Sequence, residues 1–174
     1  MQIRRKMSVL LLALLVSSVF VACPSGQTGL SGDWVFIMFA DAQNMAYMEC
    51  SFHNGNYEES LIGIEDSDFT EYYHIDGTYT TNDSHYPGWL DVYVETLEWE
   101  GDEMTVEEWV DEIGEEAVEE FFIDRGSVIQ RNGETVLHFA QIYSVDGDLL
   151  TVGVGDPARP DDFDSYNTLI FWRD

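Results

Sequence analysis

The side chains with the widest chemical repertoire here are four histidines, two cysteines and 34 carboxylates in a chain of 174 residues. His53, His74, His85 and His138 lack the close ligand spacing of zinc sites and read as ordinary surface or core residues of strands. Glu65-Asp66-Ser67-Asp68 and Asp161-Asp162-Phe163-Asp164 gather carboxylates in loops, the donor type that hard cations such as calcium take. Neither follows the Asp-x-Asp-x-Asp-Gly order, so both read as solvated acidic loops. Cys50 lies between Met48 and Phe52 on an apolar face, the setting of a buried, inert thiol rather than a nucleophile. The sequence contains no nucleophile elbow and no phosphate-cradling glycine loop. Carboxylates are so common that no glycosidase-type pair stands out. The chain is therefore expected to be no enzyme and to carry neither metal nor cofactor.

Seven basic residues against 34 acidic ones give a net charge of −27. Nucleic-acid binding rests on cationic neutralisation of phosphates, so no nucleic-acid partner is expected. Adhesion of the protein surface to anionic head groups is disfavoured for the same reason. Self-repulsion at this charge favours solubility and a monomer. Acid-rich surfaces almost without lysine resemble those of proteins from high-salt environments; divalent-cation binding is the alternative source of such a bias.

The elements that must position these residues are mostly strands. Met45 to His53 alternates, with Ala46, Met48, Cys50 and Phe52 on one face. Asn54-Gly55 is a tight-turn pair leading into Asn56 to Ile64. Asp76-Gly77 predicts a bend or bulge within Thr70 to Thr81, and Trp89 to Trp99 places Leu90, Val92 and Val94 on one side. Asn132-Gly133 and Asp146-Gly147 join Ser127–Arg131, Thr135–Val145 and Asp148–Val154; Asn167 to Trp172 is the last strand. One segment changes period: Thr105 and Glu108 form a capping-box pattern, and Val106, Trp109, Val110, Ile113, Ala117 and Phe121 fall at helical spacing. The pattern predicts an all-β, antiparallel up-and-down meander of eight or nine strands. One amphipathic helix, weakened at Gly114, stands before the last three strands. Closure into a barrel removes the exposed strand edges of a meander.

The N-terminus carries a different signal. Arg4, Arg5 and Lys6 precede an apolar run from Val9 to Val16, then Ser17-Ser18 and Val19-Phe20-Val21-Ala22-Cys23. That order is a secretory signal, too short for the ~20 residues of a spanning helix. The last five residues resemble the lipobox of bacterial lipoproteins, with Phe20 where Leu is usual. The resemblance implies cleavage of residues 1–22 and acylation of Cys23. A tether follows over 23–31, then a single domain over 32–174. Membrane attachment then comes through the lipid, in the bacterial cell envelope. The outer membrane is favoured because Pro24, not Asp, follows the cysteine. The alternative is an ordinary signal cut near Ala22 that leaves Cys23 free. Cleavage would leave four arginines and all 34 carboxylates.

Ser31-Gly32-Asp33-Trp34-Val35 resembles the Gly-x-Trp signature of lipocalins and bacterial lipocalin-like lipoproteins. Phe52-His53-Asn54-Gly55-Asn56-Tyr57, Gly77-Thr78-Tyr79 and Val145-Asp146-Gly147-Asp148-Leu149-Leu150 look like the hairpins of such domains. This resemblance implies an eight-stranded barrel with Trp34 packed at its base beneath Arg173. The family places its helix after the last barrel strand, whereas this one comes earlier. Two functions follow from the barrel. It binds a small hydrophobic ligand lined by Met48, Phe52, Leu90, Val92, Val94, Leu150 and Val152, or those side chains fill it and the surface does the work. Replacing Cys23 by Ser is expected to abolish incorporation of radiolabelled palmitate; a variant that still takes up label removes the anchor.

Overall fold

The computed structural model describes residues 29–40, 44–65, 68–99, 101–122, 126–155, 158–163 and 168–174. The segments read above as an export signal and a lipobox, with Cys23, lie outside the described residues. Ten strands are present among the described residues. They are β1 (Gly32–Ala40), β2 (Asn44–His53), β3 (Asn56–Glu65), β4 (Asp68–Asn82), β5 (Gly88–Trp99), β6 (Asp102–Thr105), β7 (Ser127–Arg131), β8 (Glu134–Asp146), β9 (Leu149–Val154) and β10 (Thr168–Arg173). Two helices, α1 (Val106–Ile113) and α2 (Glu115–Phe121), stand between β6 and β7.

All pairings are antiparallel, and short turns set several registers. At Asn54-Gly55 and Asn132-Gly133 both turn residues have positive φ (53° and 87°, 56° and 92°), the backbone of a two-residue hairpin whose twist suits its strands. A turn of that length forces His53 opposite Asn56, and therefore Phe52 opposite Tyr57 and Cys50 opposite Glu59. The bulge expected at Asp76-Gly77 is present as a register shift between those residues. A side chain there is sterically blocked: a Cβ on Gly77 would lie 2.0 Å from the backbone oxygen of Tyr93.

Strands β5-β4-β3-β2-β1-β10-β9-β8 follow one another in hydrogen-bonded order, and β5 pairs again with β8, so eight strands form a ring. Gly88 to Val94 of β5 meet β8, while Thr96 to Trp99 run on and pair with β6 along the same edge. The short strand β7 similarly takes the part of β8 that β9 leaves unpaired. The insertion β6-α1-α2-β7 thus grows out of the seam where the ring closes.

Two expectations change here. The tenth strand is β6, four mostly exposed residues without an alternating pattern, so periodicity gives no sign of it. The single helix is two, because Gly114 adopts φ 93° and ψ 152°, a positive-φ backbone open to glycine that ends one helix and starts another. The interruption also resets the phase of the apolar face. Val106 and Trp109 are buried as expected, but Ile113 is 49% exposed, and Val118 and Phe122 take the inward positions beyond the break. The pair precedes four strands rather than three, of which β8, β9 and β10 belong to the ring. The capping box is complete: the Glu108 amide donates to Thr105 Oγ1 and the Thr105 amide to Glu108 Oε2.

One apolar core fills the ring, continuous with the helices through Phe121 and Phe122, whose rings lie 6.2 and 5.8 Å from that of Tyr73. At the other end Trp34 is fully buried, and its indole N–H donates to the Leu30 carbonyl at 2.8 Å. The Arg173 guanidinium lies 4.2 Å from the Trp34 ring centre and donates to the carbonyls of Ser31 and Gly29. Leu30, within the stretch read as tether, is 5% exposed and packs into the core. Truncating Trp34 to Ala removes the largest fully buried side chain. It is expected to cost about 3–5 kcal/mol in denaturant unfolding, and a loss below about 1 kcal/mol contradicts its role as the closing plug.

Candidate functional site

The inner face of β3 carries Tyr57, Glu59, Leu61 and Gly63, so the ring encloses a carboxylate. Glu59 is 2% exposed. Its Oε1 accepts from the Tyr73 hydroxyl at 2.7 Å, and its Oε2 accepts from the Tyr57 hydroxyl and, at 3.8 Å, from the Cys50 thiol. Burying a carboxyl group among apolar side chains is costly unless donors satisfy it, and two phenols and a thiol do so here. The group borders a cavity of about 10 Å³ lined also by Phe52, Gln141, Leu150 and Phe171. Gln141 is 6% exposed and reaches the cavity from β8, across the ring.

The residues expected to line a ligand, Met48, Phe52, Leu90, Val92, Val94, Leu150 and Val152, are all buried and belong to one packed cluster. Three of them, Phe52, Leu150 and Val152, border the small cavity. Glu59, Tyr57, Tyr73 and Gln141 escaped the sequence reading. The Asn54-Gly55 turn held the missing signal, because counting back from it sets Glu59 opposite inward-facing Cys50. The adjacent Glu58 hid which of the two acids points inward.

Outside the ring, three histidines pair with carboxylates. Asp33 Oδ1 accepts from Ser51 at 2.7 Å and contacts His53 Nε2 at 2.8 Å. Serine and histidine thus share one carboxylate oxygen, and the hydroxyl proton points at the acid rather than at a base, which is not nucleophile geometry. Ser60 Oγ lies 2.7 Å from His74 Nδ1, and His74 Nε2 lies 3.3 Å from Asp76. That connectivity is relay-like, but it sits on the outer face of a strand hydrogen-bonded on both sides, without the backbone N–H pair an oxyanion needs. His138 Nε2 lies 2.8 Å from Asp91, and Arg159 bonds the same carboxylate together with the carbonyls of Leu90 and Gln141. Those two residues face each other across β5 and β8, so Arg159 clasps the seam from outside. His85 stacks on Trp89 with ring centres 3.8 Å apart. None of the four histidines enters the interior cluster.

The described arginines are all committed to aromatic faces: Arg131 over Tyr93 at 3.8 Å, Arg159 over Trp89 at 5.1 Å and Arg173 over Trp34. Among the described residues no group of three or more His, Cys, Asp or Glu side chains is arranged to hold a metal. Of the two acidic loops, Asp66, Ser67 and Asp164 lie outside the described residues. Among the described residues no helix is long and apolar enough to cross a membrane. Comparison with protein-family models, with curated proteins and with solved structures gives no match.

A surface depression of about 130 Å³ near β1 and β2 is bordered by Asp33, Glu49, Ser51 and Asp174. Its two strand carboxylates are driven apart. Hydrogen bonds from Ser51 and His53 hold Asp33 below its ordinary value, whereas partial burial, then the charges of Asp174, Glu71 and Asp33, push Glu49 up. Asp33 therefore contributes stability above pH 3.8, which is lost as pH falls through its lowered value. Glu49 does the opposite: its contribution is complete below pH 4.5 and is lost as pH rises through its raised value. Glu49→Gln is expected to raise the urea midpoint at neutral pH and to leave it unchanged below pH 4.5. A gain that persists in acid removes the electrostatic explanation.

Proposed function

We propose that this chain is an exported bacterial lipoprotein, held in the envelope by acylated Cys23, whose lipocalin-like barrel is filled by its own side chains. It acts through its outer surface, as a structural or interaction protein, rather than as a carrier. The observation that carries this reading is the interior volume. Drug-sized ligands occupy roughly 300–1,000 Å³ of largely apolar pocket. Among the described residues, the cavity bordered by Glu59 and Gln141 measures about 10 Å³, on the order of one water molecule. Leu90, Val92, Val94 and Leu150 are fully buried against one another, and the aromatic rings of α2 pack over one end of the core.

Closure of the ring and the stacking of Arg173 on Trp34 support the lipocalin-like assignment. The carrier reading requires the same side chains to move apart by several hundred cubic ångströms, at the cost of the packing that stabilises the fold. The surface matches the non-carrier reading. It is strongly acidic, and each described arginine is tied to an aromatic ring, so an attracting partner is cationic or polar.

The test is native mass spectrometry of protein purified from its own host, combined with titration of fluorescent fatty acids. Mass accounted for by the chain and its anchor alone, with no saturable fluorescence change, is the expected result. A stoichiometric bound lipid in repeated preparations restores the carrier.

A further inference from the structure

We infer that the free edge of β1 from Phe36 to Ala40 is a docking site for an extended, basic segment of a partner protein, which adds there as a further strand. The inference rests on the surface-acting reading above and names the surface. Antiparallel alternation shows where the edge is open. The Asp174 amide donates to the Asp33 carbonyl, so the N–H and C=O of Val35 and Ile37 also aim towards β10. Val35 meets Trp172, but Ile37 has no opposite number. Among the described residues the β1–β10 ladder stops after Trp34↔Arg173 and Val35↔Trp172, whereas β1 stays paired with β2 as far as Ala40. A bulge between Ile37 and Phe39 bends the strand there. Unpaired backbone donors and acceptors along an edge are a template that an extended chain satisfies; a bilayer does not.

Side chains and charge specify the visitor. Ile37, Met38 and Phe39 are 36%, 50% and 55% exposed, and Ile170 across the opening is 44% exposed. Phe36–Ala40 contains neither a charged residue nor a proline, the usual guards of an edge. Beneath the opening the Phe36 and Phe171 rings lie 5.5 Å apart, so the core stays closed. Carboxylates surround the site. Asp33 lies near the start of β1, Glu49 stands opposite Val35 on β2, and Glu71 ends the cross-strand row that runs from Ile37 through Tyr47 and Ile62. Asp174, Glu71 and Asp33 all repel Glu49. A basic strand relieves that repulsion, whereas a second copy of the chain, with its net charge of −27, adds to it.

The probe is a short peptide of alternating valine and threonine with a lysine at each end, added to the isotope-labelled protein while amide exchange is followed by NMR. The Ile37 amide is expected to exchange freely in the protein alone and at least about tenfold more slowly once the peptide saturates. The same peptide ended in glutamates is expected to bind about tenfold more weakly. Ile37→Pro deletes the N–H that points away from β2, keeps the β1–β2 ladder, and is expected to weaken binding about tenfold. Ile37→Lys keeps that N–H but sets a cation against the basic strand; it is expected to weaken binding similarly, and it decides the matter if the proline variant does not fold. An Ile37 amide protected before peptide is added, no saturable binding, undiminished binding by the folded variants, or a preference for the glutamate peptide overturns the site. Protection that rises with protein concentration, the mark of a second copy, overturns it too, as does protection by phosphatidylcholine vesicles in place of the peptide. Bound fatty acid in the preceding test strikes the filled-barrel reading alone, since the peptide is titrated into lipid-free protein.

Discussion

The pairing of β5 with β8 makes a ring out of what is otherwise a ribbon, and the core depends on it. Up-and-down strands leave two unpaired edges, each a row of backbone donors and acceptors that water or another chain must satisfy. Joining β5 to β8 and β1 to β10 removes those edges along most of the ring and directs every second side chain into a shared interior. The β1–β10 contact is short, with Trp34 opposite Arg173 and Val35 opposite Trp172. Side chains reinforce it: the buried indole, the guanidinium stacked on it, and the two carbonyls that the guanidinium ties down.

Cations are few in this chain, and their placement follows the same constraint. Arg159 bonds Asp91 and two backbone carbonyls at the β5–β8 seam, Arg131 joins Thr78 on β4 while covering Tyr93 on β5, and Arg173 closes the β1–β10 contact. Guanidinium is planar and weakly hydrated, so it stacks on a ring while its N–H groups reach carbonyls, which an ammonium does less well. The described arginines fasten strands together, and the acidic excess spreads over surfaces that repel one another.

Alternation and turn chemistry made much of this architecture legible in the residues. The inward set from Ala46 to Phe52, the Asn-Gly hairpins, the Asp76-Gly77 bulge and the capping box at Thr105 all stand as read, because each is a local rule with a backbone cause. Strand β6 was not legible, since an exposed four-residue strand has no alternation to display. The helix pair was half legible: Gly114 marked the weak point, but the new phase beyond it depends on a backbone angle. The interior polar centre was the main omission. Glu59 and Gln141 lie on different hairpins, and their approach across the ring follows from closure rather than from spacing.

The order of strands has a kinetic side. Most neighbours in the ring are also neighbours in the chain, and such contacts form quickly because little chain entropy is lost in closing them. The exceptions are β5, which pairs with β8 across the inserted β6-α1-α2-β7, and β1, which is the more distant. It is made first, yet its second partner is the last strand of the polypeptide. Throughout synthesis, the edge of β1 at Trp34 and Val35 waits unpaired while about 130 residues follow it.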